Sequence, residues 1–316
     1  MSNSFKLLIG YDGSSFADAV LDDLGTAGLP DSGVHVTVIT VTDAWELPDL
    51  LDRVSPVTGR SRADRTELIR EHLEDLVQRT GAMASAAADR LSDAFPAWNV
   101  ETAALTGKPG VEMIRFADEW KPDLIAMGSH GRGFIGRAVL GSVSMKVLHE
   151  AQASVRIVRK NEGRRAGPQR VIVALDGSEC SDVVVDNVVG RTWPADTQFR
   201  LVTADDAPAR RPETSVLDAV REGHKDSPEA EAWVERVLSG PLRRFEEAGL
   251  RADQICRWAA AKSLILDQAD EWNADCIFIG ARGVGRVSRM FLGSVSAAVA
   301  ARARCTVEVI RDTGNA

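Results

Sequence analysis

Cysteine is scarce in this sequence. The chain of 316 residues has four cysteines, all in its second half, and no two have the CxxC spacing of a zinc site or a redox pair. Their uneven placement argues against a disulfide framework and favours reduced thiols in a cytoplasmic protein. The four are Cys180, Cys256, Cys276 and Cys305.

Positive charge and long apolar runs are also lacking. The formal net charge is -8, whereas a general nucleic-acid binder needs a basic face to neutralise phosphates. No stretch approaches the roughly 18–20 consecutive apolar residues of a membrane span. The start, MSNSFKLLIGYDGSS, has no basic segment followed by an apolar one, as a secretory signal would have. We therefore expect a cytoplasmic protein with neither a nucleic-acid nor a membrane partner.

Several catalytic motifs are absent. The sequence has no GxxxxGK(S/T) phosphate loop, no HExxH zinc motif and no GxSxG nucleophile motif. These absences argue against P-loop NTPases, zincin proteases and serine hydrolases. No set of residues offers a general base beside an oriented nucleophile, so we expect no efficient catalysis.

What the sequence does contain is an internal repeat. The segment KLLIGYDGS at residues 6–14 recurs as RVIVALDGS at residues 170–178. Residues 128–144, which begin GSHG and end LGSVS, recur as residues 280–296, which begin GARG and end LGSVS. Two copies of one unit in tandem therefore account for most of the chain.

The spacing between the two repeated segments differs between the copies. The first segment recurs after 164 residues and the second after 152, so the first copy holds 12 more residues between them. We place part of this excess in the loop from Trp45 to Arg62, which is rich in proline, glycine and polar residues. The polar stretch 161–169 is typical of a linker, so the predicted domains are residues 1–160 and 170–316.

Each copy alternates strand and helix patterns. Short apolar or β-branched runs predict strands, and apolar residues at i, i+4 and i+7 predict helices. The strand–helix alternation predicts an α/β fold with a parallel sheet covered on both faces. In the second copy Gly240-Pro241 interrupts the second helix region, so we expect that helix to be kinked or split.

The predicted elements cover most of both copies. The strands are Lys6–Gly10, Val34–Val41, Trp98–Leu105, Asp123–Met127 and Ser154–Arg159, then Val171–Leu175, Gln198–Thr203, Ala252–Trp258, Cys276–Ile279 and Thr306–Ile310. The helices of the first copy are Ser14–Leu24, Thr66–Arg79, Pro109–Trp120 and Ser142–Ala151.

The repeated glycine motif has the chemistry of a phosphate site. In each copy a strand leads into Gly-x-x-Gly, then nine residues, then Gly-Ser at the start of a helix. Glycines let the backbone approach a ligand closely, and the unpaired N–H groups at a helix N-terminus bind anions. Hydroxyl donors are added by Ser142 and Ser144 in the first copy and by Ser294 and Ser296 in the second.

Asp12 and Asp176 end the first strand of each copy, where an open α/β sheet has its ligand crevice. A carboxylate there accepts hydrogen bonds from ribose hydroxyls. A tight turn with ordinary helix caps at Ser14 and Ser142 would explain the same residues without a ligand. Their recurrence in both copies, at the carboxyl ends of predicted strands, favours a ligand.

The early Asp-Gly-Ser and the Gly-2x-Gly-9x-Gly-Ser stretch together resemble the universal stress protein family in its tandem-domain form. The long glycine motif resembles the ATP-binding branch of that family. The resemblance implies two tandem Rossmann-like domains (adenine nucleotide alpha hydrolase-like), each with a five-stranded parallel sheet and helices on both faces. It also implies ATP or AMP as the ligand. Mg²⁺ commonly accompanies a bound triphosphate through its oxygens.

The resemblance also implies residue roles. In the first copy Asp12 would meet the ribose, with Gly10 and Val41 near ribose and adenine. Met127 and Gly128 would flank the base or the sugar. The phosphates would lie among Gly131, Arg132, Gly133, Gly141, Ser142 and Val143. The matching residues of the second copy are Ala174, Asp176, Thr203, Ile279, Gly280, Gly283, Gly285, Gly293, Ser294 and Val295.

The two copies are not equal. Family members often carry a glycine soon after the third strand, and Gly107-Lys108-Pro109 fits this, whereas the second copy has Ala259-Ala260-Ala261. Thr203 stands in the position that we match with Val41. We therefore expect the first copy to have the better nucleotide site. His130, within the glycine motif, either contacts a phosphate or lines a solvated loop, and we expect the loop.

The leading hypothesis is an ATP-binding stress or regulatory protein without efficient catalysis. Two alternatives stay open, namely a slow ATPase of the same fold and a protein-interaction scaffold with vestigial nucleotide pockets. We expect the last strands, Ser154–Arg159 and Thr306–Arg311, to join the copies as an intramolecular pseudo-dimer, because this would cover exposed sheet edges. Two such chains would associate again as a homodimer.

Overall fold

The computed structural model describes residues 4–43, 62–131, 140–160, 167–205, 228–283 and 292–312 of the protein. The chain divides into two compact units, with the bulk of each before and after residue 160. Within the described ranges no helix is long and apolar enough to cross a membrane. Each unit is an α/β structure and is described by itself.

The described part of the first unit alternates five strands with four α-helices. Its elements are β1 (Phe5–Gly10), α1 (Ser15–Asp23), β2 (Val34–Thr42), α2 (Arg62–Ala94), β3 (Asn99–Thr106), α3 (Pro109–Trp120), β4 (Leu124–Gly128), α4 (Ser142–Glu150) and β5 (Ser154–Val158). A short 3-10 turn, Leu24–Thr26, follows α1.

The second unit repeats this order. Its elements are β6 (Arg170–Leu175), α5 (Glu179–Val189), β7 (Gln198–Asp205), α6 (Pro228–Glu247), β8 (Arg251–Trp258), α7 (Ala261–Trp272), β9 (Cys276–Gly280), α8 (Ser294–Arg302) and β10 (Thr306–Ile310). The strands predicted in both copies are confirmed to within about two residues at each end.

Both sheets are parallel and share one strand order. In the first unit the order is β3-β2-β1-β4-β5, and in the second it is β8-β7-β6-β9-β10. Parallel crossovers are right-handed. The chain moves one way from β1 to β3 and then returns to β4 and β5, so α1 and α2 cover one face and α3 and α4 the other. The predicted Rossmann-like sheets with helices on both faces are confirmed.

The strand order also places a ligand crevice. The direction of the chain reverses between β1 and β4, which are neighbours in the first sheet. In open α/β sheets a crevice forms at the carboxyl ends of the strands at such a reversal. The residues that follow β1 and β4 are the Asp-Gly-Ser segment and the glycine motif. Topology alone therefore brings the two repeated motifs to the same edge of the sheet.

Burial explains why the strands are apolar runs and not alternating patterns. All five residues of β4, LIAMG, are buried, as are five of the six residues of β6. A strand covered by helices on both faces has no solvent side to make polar. In the second unit the rings of Phe199 and Phe245 pack edge to face at 5.2 Å between centroids, which fixes α6 on that sheet.

The extra length of the first copy lies in a helix, which differs from the expected loop. Helix α2 has 33 residues, far beyond the predicted Thr66–Arg79, whereas α6 has 20. The segment before the helix is 43–61 in the first copy and 206–227 in the second, which is 19 residues against 22. The loop from Trp45 up to α2 lies outside the described residues, but its length alone shows that the excess is not there.

Of the kink or split that we expected at Gly240-Pro241, the split is wrong. Helix α6 continues through Pro241 to Glu247. Val237 and Leu238 before the proline and Phe245 after it are buried in one core cluster. Packing on both sides of the proline therefore outweighs the backbone hydrogen bond that its ring removes.

Candidate functional site

The turn after β1 holds a carboxylate at the carboxyl edge of the first sheet. Oδ1 of Asp12 accepts a hydrogen bond from the backbone N–H of Ser14 at 3.0 Å. Gly13 between them has a φ of 73°, which favours glycine. Ser14 caps α1, and its hydroxyl accepts from the N–H of Ala17 at 3.2 Å. Ser14 is thus a helix cap, and the turn fixes the position of the Asp12 side chain.

The glycine motif begins at the end of β4 and leads back to it. The N–H of Gly141 donates to the carbonyl of Ser129 at 2.9 Å, so the two ends of the intervening loop meet. The hydroxyl of Ser144 donates to the carbonyl of Gly128 at 2.8 Å. This hydroxyl therefore ties α4 to β4, and what Ser144 offers a ligand is its backbone N–H.

Helix α4 presents an N-terminus without a side-chain cap. Its N-cap residue is Gly141, which has no side chain to accept from the first N–H groups. These N–H groups carry the positive end of the helix dipole and favour an anion. Ser142, Val143 and Ser144, which form the first turn, all line the cavity described next. The arrangement suits a phosphate group.

A cavity of about 510 Å³ lies where β1, β2 and β4 end, bordered by α2, α3 and α4. This size falls within the range of about 300–1,000 Å³ for small-molecule sites. The cavity brings together every residue that was assigned to the first site and is described. They are Gly10, Asp12, Val41, Met127, Gly128, Gly131, Gly141, Ser142, Val143 and Ser144. Arg132 and Gly133 lie outside the described residues.

Two glycines of the site lie where any side chain would come too close to a neighbouring atom. A Cβ on Gly128 would lie 2.9 Å from the backbone carbonyl carbon and oxygen of Phe16. Gly128 therefore lets α1 pack tightly on β4. A Cβ on Gly131 would lie 2.9 Å from Oδ2 of Asp12, so Gly131 allows the glycine motif to approach the carboxylate.

Three threonine side chains form a wall of the cavity that was not predicted from the sequence. Thr40, Thr42 and Thr80 line the cavity and are buried. The Thr42 hydroxyl donates to Oγ1 of Thr80 at 3.0 Å, and the Thr80 hydroxyl donates to the carbonyl of Leu76 at 2.7 Å. Thr40 and Thr42 are two apart on β2, which is a signal that they share a face. Nothing in the sequence marks Thr80 on α2 as their partner.

Tyr11 also lines the cavity and was not predicted from the sequence. Its hydroxyl donates to Oδ1 of Asp18 at 2.8 Å, and Arg90 donates to the same oxygen at 2.7 Å. Burial raises the pKa of Tyr11 to about 12, and the hydrogen bond to Asp18 adds to this rise. The phenol therefore stays protonated at neutral pH and links the cavity to the outer face of α2.

His130 is buried, so the expected position in a solvated loop is wrong. It is 4% exposed and lines the cavity. Its Nδ1 is hydrogen-bonded to Oγ of Ser129 at 3.1 Å, and its ring packs against that of Phe16 with centroids 5.2 Å apart. The fold of α1 over β4 covers the histidine, and the sequence gives no sign of this.

The second unit places its assigned residues in the same order. Ala174 and Asp176 lie at the end of β6, and Ile279, Gly280 and Gly283 at and after the end of β9. At the start of α8, Gly293 is the N-cap without a side-chain bond, followed by Ser294, Val295 and Ser296. Gly285 lies outside the described residues.

The carboxylate of the second unit is held differently. Oδ1 of Asp176 accepts from the N–H of Ser178 at 3.0 Å and from the hydroxyl of Ser181 at 2.7 Å. A Cβ on Gly283 would also collide with Oδ2 of Asp176. The hydroxyl of Ser296 donates to the carbonyls of Ala281 and Gly293, each at 3.0 Å. This hydroxyl, like that of Ser144, is thus engaged within the fold.

The match of Thr203 with Val41 is wrong. In the first unit, strand pairing places Val41 opposite Leu105. The residue of the second unit that matches Leu105 is Arg257, and it lies opposite Ala204. Ala204 is therefore the counterpart of Val41. Thr203 instead matches Thr40, so it is not a departure of the second site from the first.

The Universal stress protein family pattern matches residues 4–159 and again residues 168–311. A universal stress protein of Mycobacterium tuberculosis is 27% identical over 218 residues, which cover 68% of this chain and 70% of that protein. Another, of Methanocaldococcus jannaschii, is 34% identical over 109 residues, or 34% of this chain and 60% of that protein. A solved universal stress protein structure from Archaeoglobus fulgidus has a TM-score of 0.60 at 22% identity and covers 98% of this chain and 97% of its own. At that identity the structural likeness concerns the fold.

Proposed function

This chain belongs to the universal stress protein family, and we propose that its first unit binds ATP or AMP and regulates a stress response through nucleotide occupancy. The observation that carries the proposal is one cavity that joins the Asp12 carboxylate to the uncapped N-terminus of α4. A carboxylate suits ribose hydroxyls, and a helix N-terminus suits phosphates. A nucleotide presents both groups.

The rest of the lining supports an adenine nucleotide. Ile39, Val41, Met113 and Met127 provide an apolar wall, which suits the faces of a planar base. Gly131 of the glycine motif lies close to Oδ2 of Asp12, and the first turn of α4 lines the same cavity. An apolar wall with a few polar groups is the usual composition of a small-molecule site.

We propose binding without efficient turnover. The residues of the cavity can orient a nucleotide, and His130 is held by Ser129 and Phe16. The described residues that line the cavity include no lysine and no arginine, and Arg132, which the resemblance assigns to the phosphates, lies outside the described residues. Mg²⁺, when a triphosphate is bound, would be held by phosphate oxygens and water.

Several further expectations belong to this proposal. The domains are residues 1–160 and 170–316, joined by the linker 161–169. The last strands, β5 and β10, pair as an intramolecular pseudo-dimer, and the protein acts in the cytoplasm. The second unit is the weaker nucleotide site, because Ser181 already donates to the carboxylate of Asp176.

The experiment is calorimetric titration of the full chain with ATP and with AMP. Asp12→Ala is expected to weaken binding by about tenfold or more, because a charged hydrogen-bond acceptor is lost. Asp176→Ala is the matched control at the same place in the second unit, and its effect is expected to be smaller. No heat with either nucleotide would contradict the proposal and favour the scaffold alternative. Steady ADP release that Asp12→Ala abolishes would favour the slow ATPase.

A further inference from the structure

The cavity of the first unit is rich in methionine. Met83, Met113 and Met127 line it, which is three of the six methionines in the chain. They come from α2, α3 and β4, so the tertiary fold and not a local motif gathers them. Met113 and Met127 are each 4% exposed, so protein covers nearly all of their surface and only a small part of it faces the cavity.

The second unit has no methionine at two of the matching positions. Met113 is the fifth residue of α3, and the fifth residue of α7 is Ile265. Met127 is the fourth residue of β4, and the fourth residue of β9 is Ile279. Isoleucine has a similar size and polarity but no sulfur. The two units therefore differ in whether this apolar wall can be oxidised.

We propose that Met113 and Met127 form a modification site, at which oxidation by hydrogen peroxide switches off nucleotide binding in the first unit. The inference rests on the proposed function for its readout. In the reaction one oxygen atom passes from peroxide to the thioether sulfur. A sulfur–oxygen bond forms, the peroxide O–O bond breaks, and water is released. The sulfur loses two electrons and the peroxide gains them.

The packing of Met113 explains why the added oxygen matters. A Cβ on Gly10 would lie 2.7 Å from Cε and 3.1 Å from Sδ of Met113. The methionine tip therefore fills the space above Gly10 and leaves no room for an oxygen on that side. The sulfoxide has to move towards the cavity and reduces the space for a ligand.

The backbone of Met127 is fixed within the sheet. It lies in β4, paired with Gly10 of β1 on one side and Ile157 of β5 on the other. Its sulfoxide oxygen would be a polar group in a cavity that Ile39 and Val41 also line. A polar group without a hydrogen-bond partner is costly in such surroundings, so both sulfoxides oppose binding of an apolar base.

The first test is protection by the ligand. The full chain is treated with hydrogen peroxide with and without saturating ATP, and peptide mass spectrometry follows each methionine. Met145 of α4 does not line the cavity and serves as the internal reference. We expect ATP to slow oxidation of Met113 and Met127 by about fivefold or more and to leave Met145 nearly unchanged, because a bound base covers the wall. Equal rates with and without ATP would overturn the proposal.

The second test compares ATP affinity before and after peroxide within each protein. It uses an Asp176→Ala background, so that the first site is measured. The protein with all its wild-type methionines and the control variant Met145→Ile are each expected to lose about tenfold or more in ATP affinity after peroxide, since the polar oxygen enters an apolar wall. The double variant Met113→Ile/Met127→Ile, which copies the second unit, is expected to change little on treatment.

Repair shows whether methionine or cysteine sulfur is responsible for the loss of ATP binding. Methionine sulfoxide reductases should restore ATP binding, whereas dithiothreitol, which reverses cysteine disulfides, should not. Unchanged affinity after complete oxidation of Met113 and Met127, or an equal loss in the double variant, would overturn the inference. If the double variant binds no ATP before treatment, the proposal is tested on the wild type alone, by the protection that ATP gives against oxidation and by repair with the reductases. Absence of ATP binding by the untreated wild type would instead contradict the proposed function.

Discussion

The hydroxyl of Ser181 donates a hydrogen bond of 2.7 Å to Oδ1 of Asp176. In the first unit the matching residue is Ala17, so no hydroxyl stands at this position beside Asp12. The carboxylate of the second unit is therefore engaged by its own helix at the point where a ribose would bind. This difference is the physical reason why we propose that the two sites are unequal.

Exchanging the two residues should change the affinities in opposite directions. Ala17→Ser is expected to weaken ATP binding at the first site by about fivefold, since one hydrogen bond is worth about 1 kcal/mol. Ser181→Ala is expected to strengthen binding at the second site by a similar factor. Calorimetry in Asp176→Ala and Asp12→Ala backgrounds, respectively, isolates each site. Unchanged affinities in both variants would show that the serine does not determine the inequality.

Tyr11 can be titrated directly, because it is the only tyrosine in the chain. Its pKa is raised from the model-compound value of 10.0 to about 12, first by burial and then by Asp18. Because the pKa of Tyr11 is higher in the folded state, the protonated phenol contributes its full stabilisation of the fold below pH 10. This contribution is lost as the pH rises through about 12. Ultraviolet absorbance of tyrosinate should therefore appear near pH 12 while circular dichroism still reports a folded protein.

Asp18→Asn provides the control for this titration. It removes the negative charge beside the phenol, so the pKa of Tyr11 should fall, but only in part, because burial is the larger cause. Tyrosinate absorbance near pH 10 in the folded wild-type protein would contradict the buried, hydrogen-bonded phenol.

Gly128→Ala should destabilise the protein by about 1–3 kcal/mol, as overpacking does. The added methyl group would lie 2.9 Å from the backbone of Phe16, so α1 has to move away from β4. Urea unfolding measures the loss, and ATP affinity should fall with it. Gly81→Ala is the matched control within α2, where a Cβ meets no atom within 4 Å. It should stabilise the helix by about 0.5–1 kcal/mol, and a loss of stability there would contradict the packing described.

The threonine wall can be tested with a double-mutant cycle. Thr80→Val removes the acceptor of the Thr42 hydroxyl and leaves that buried hydroxyl without its 3.0 Å partner. The expected cost is about 1–3 kcal/mol in urea unfolding. Adding Thr42→Val removes the second hydroxyl and should recover most of the loss. Strictly additive losses would show that the two hydroxyls do not interact.

The sequence predicted the elements whose signal is local. Apolar runs located the strands, and Pro109 marked the start of α3. The repeated Asp12 and Gly141 segments follow the first and fourth strands, and parallel topology brings strand ends together. These features need only short-range patterns and the rule for parallel sheets.

The features that the sequence did not predict depend on distant partners. Met113 and Thr80 reach the cavity from α3 and α2, and no motif marks them. His130 is buried because Phe16 packs on it. The proline in α6 was expected to kink or split the helix, and the helix continues through it. Local propensity cannot weigh the burial of Val237 and Phe245 on either side of the proline.

Native mass spectrometry of the full chain with limiting ATP tests the central claim most directly, because it counts nucleotides per molecule. The wild type should carry one nucleotide, bound at the first unit. Gly131→Val, which pushes a side chain against the Asp12 carboxylate, should abolish that adduct, whereas the matched Gly283→Val should leave it. A wild type without nucleotide, or an adduct that Gly283→Val removes and Gly131→Val retains, would contradict a nucleotide site in the first unit.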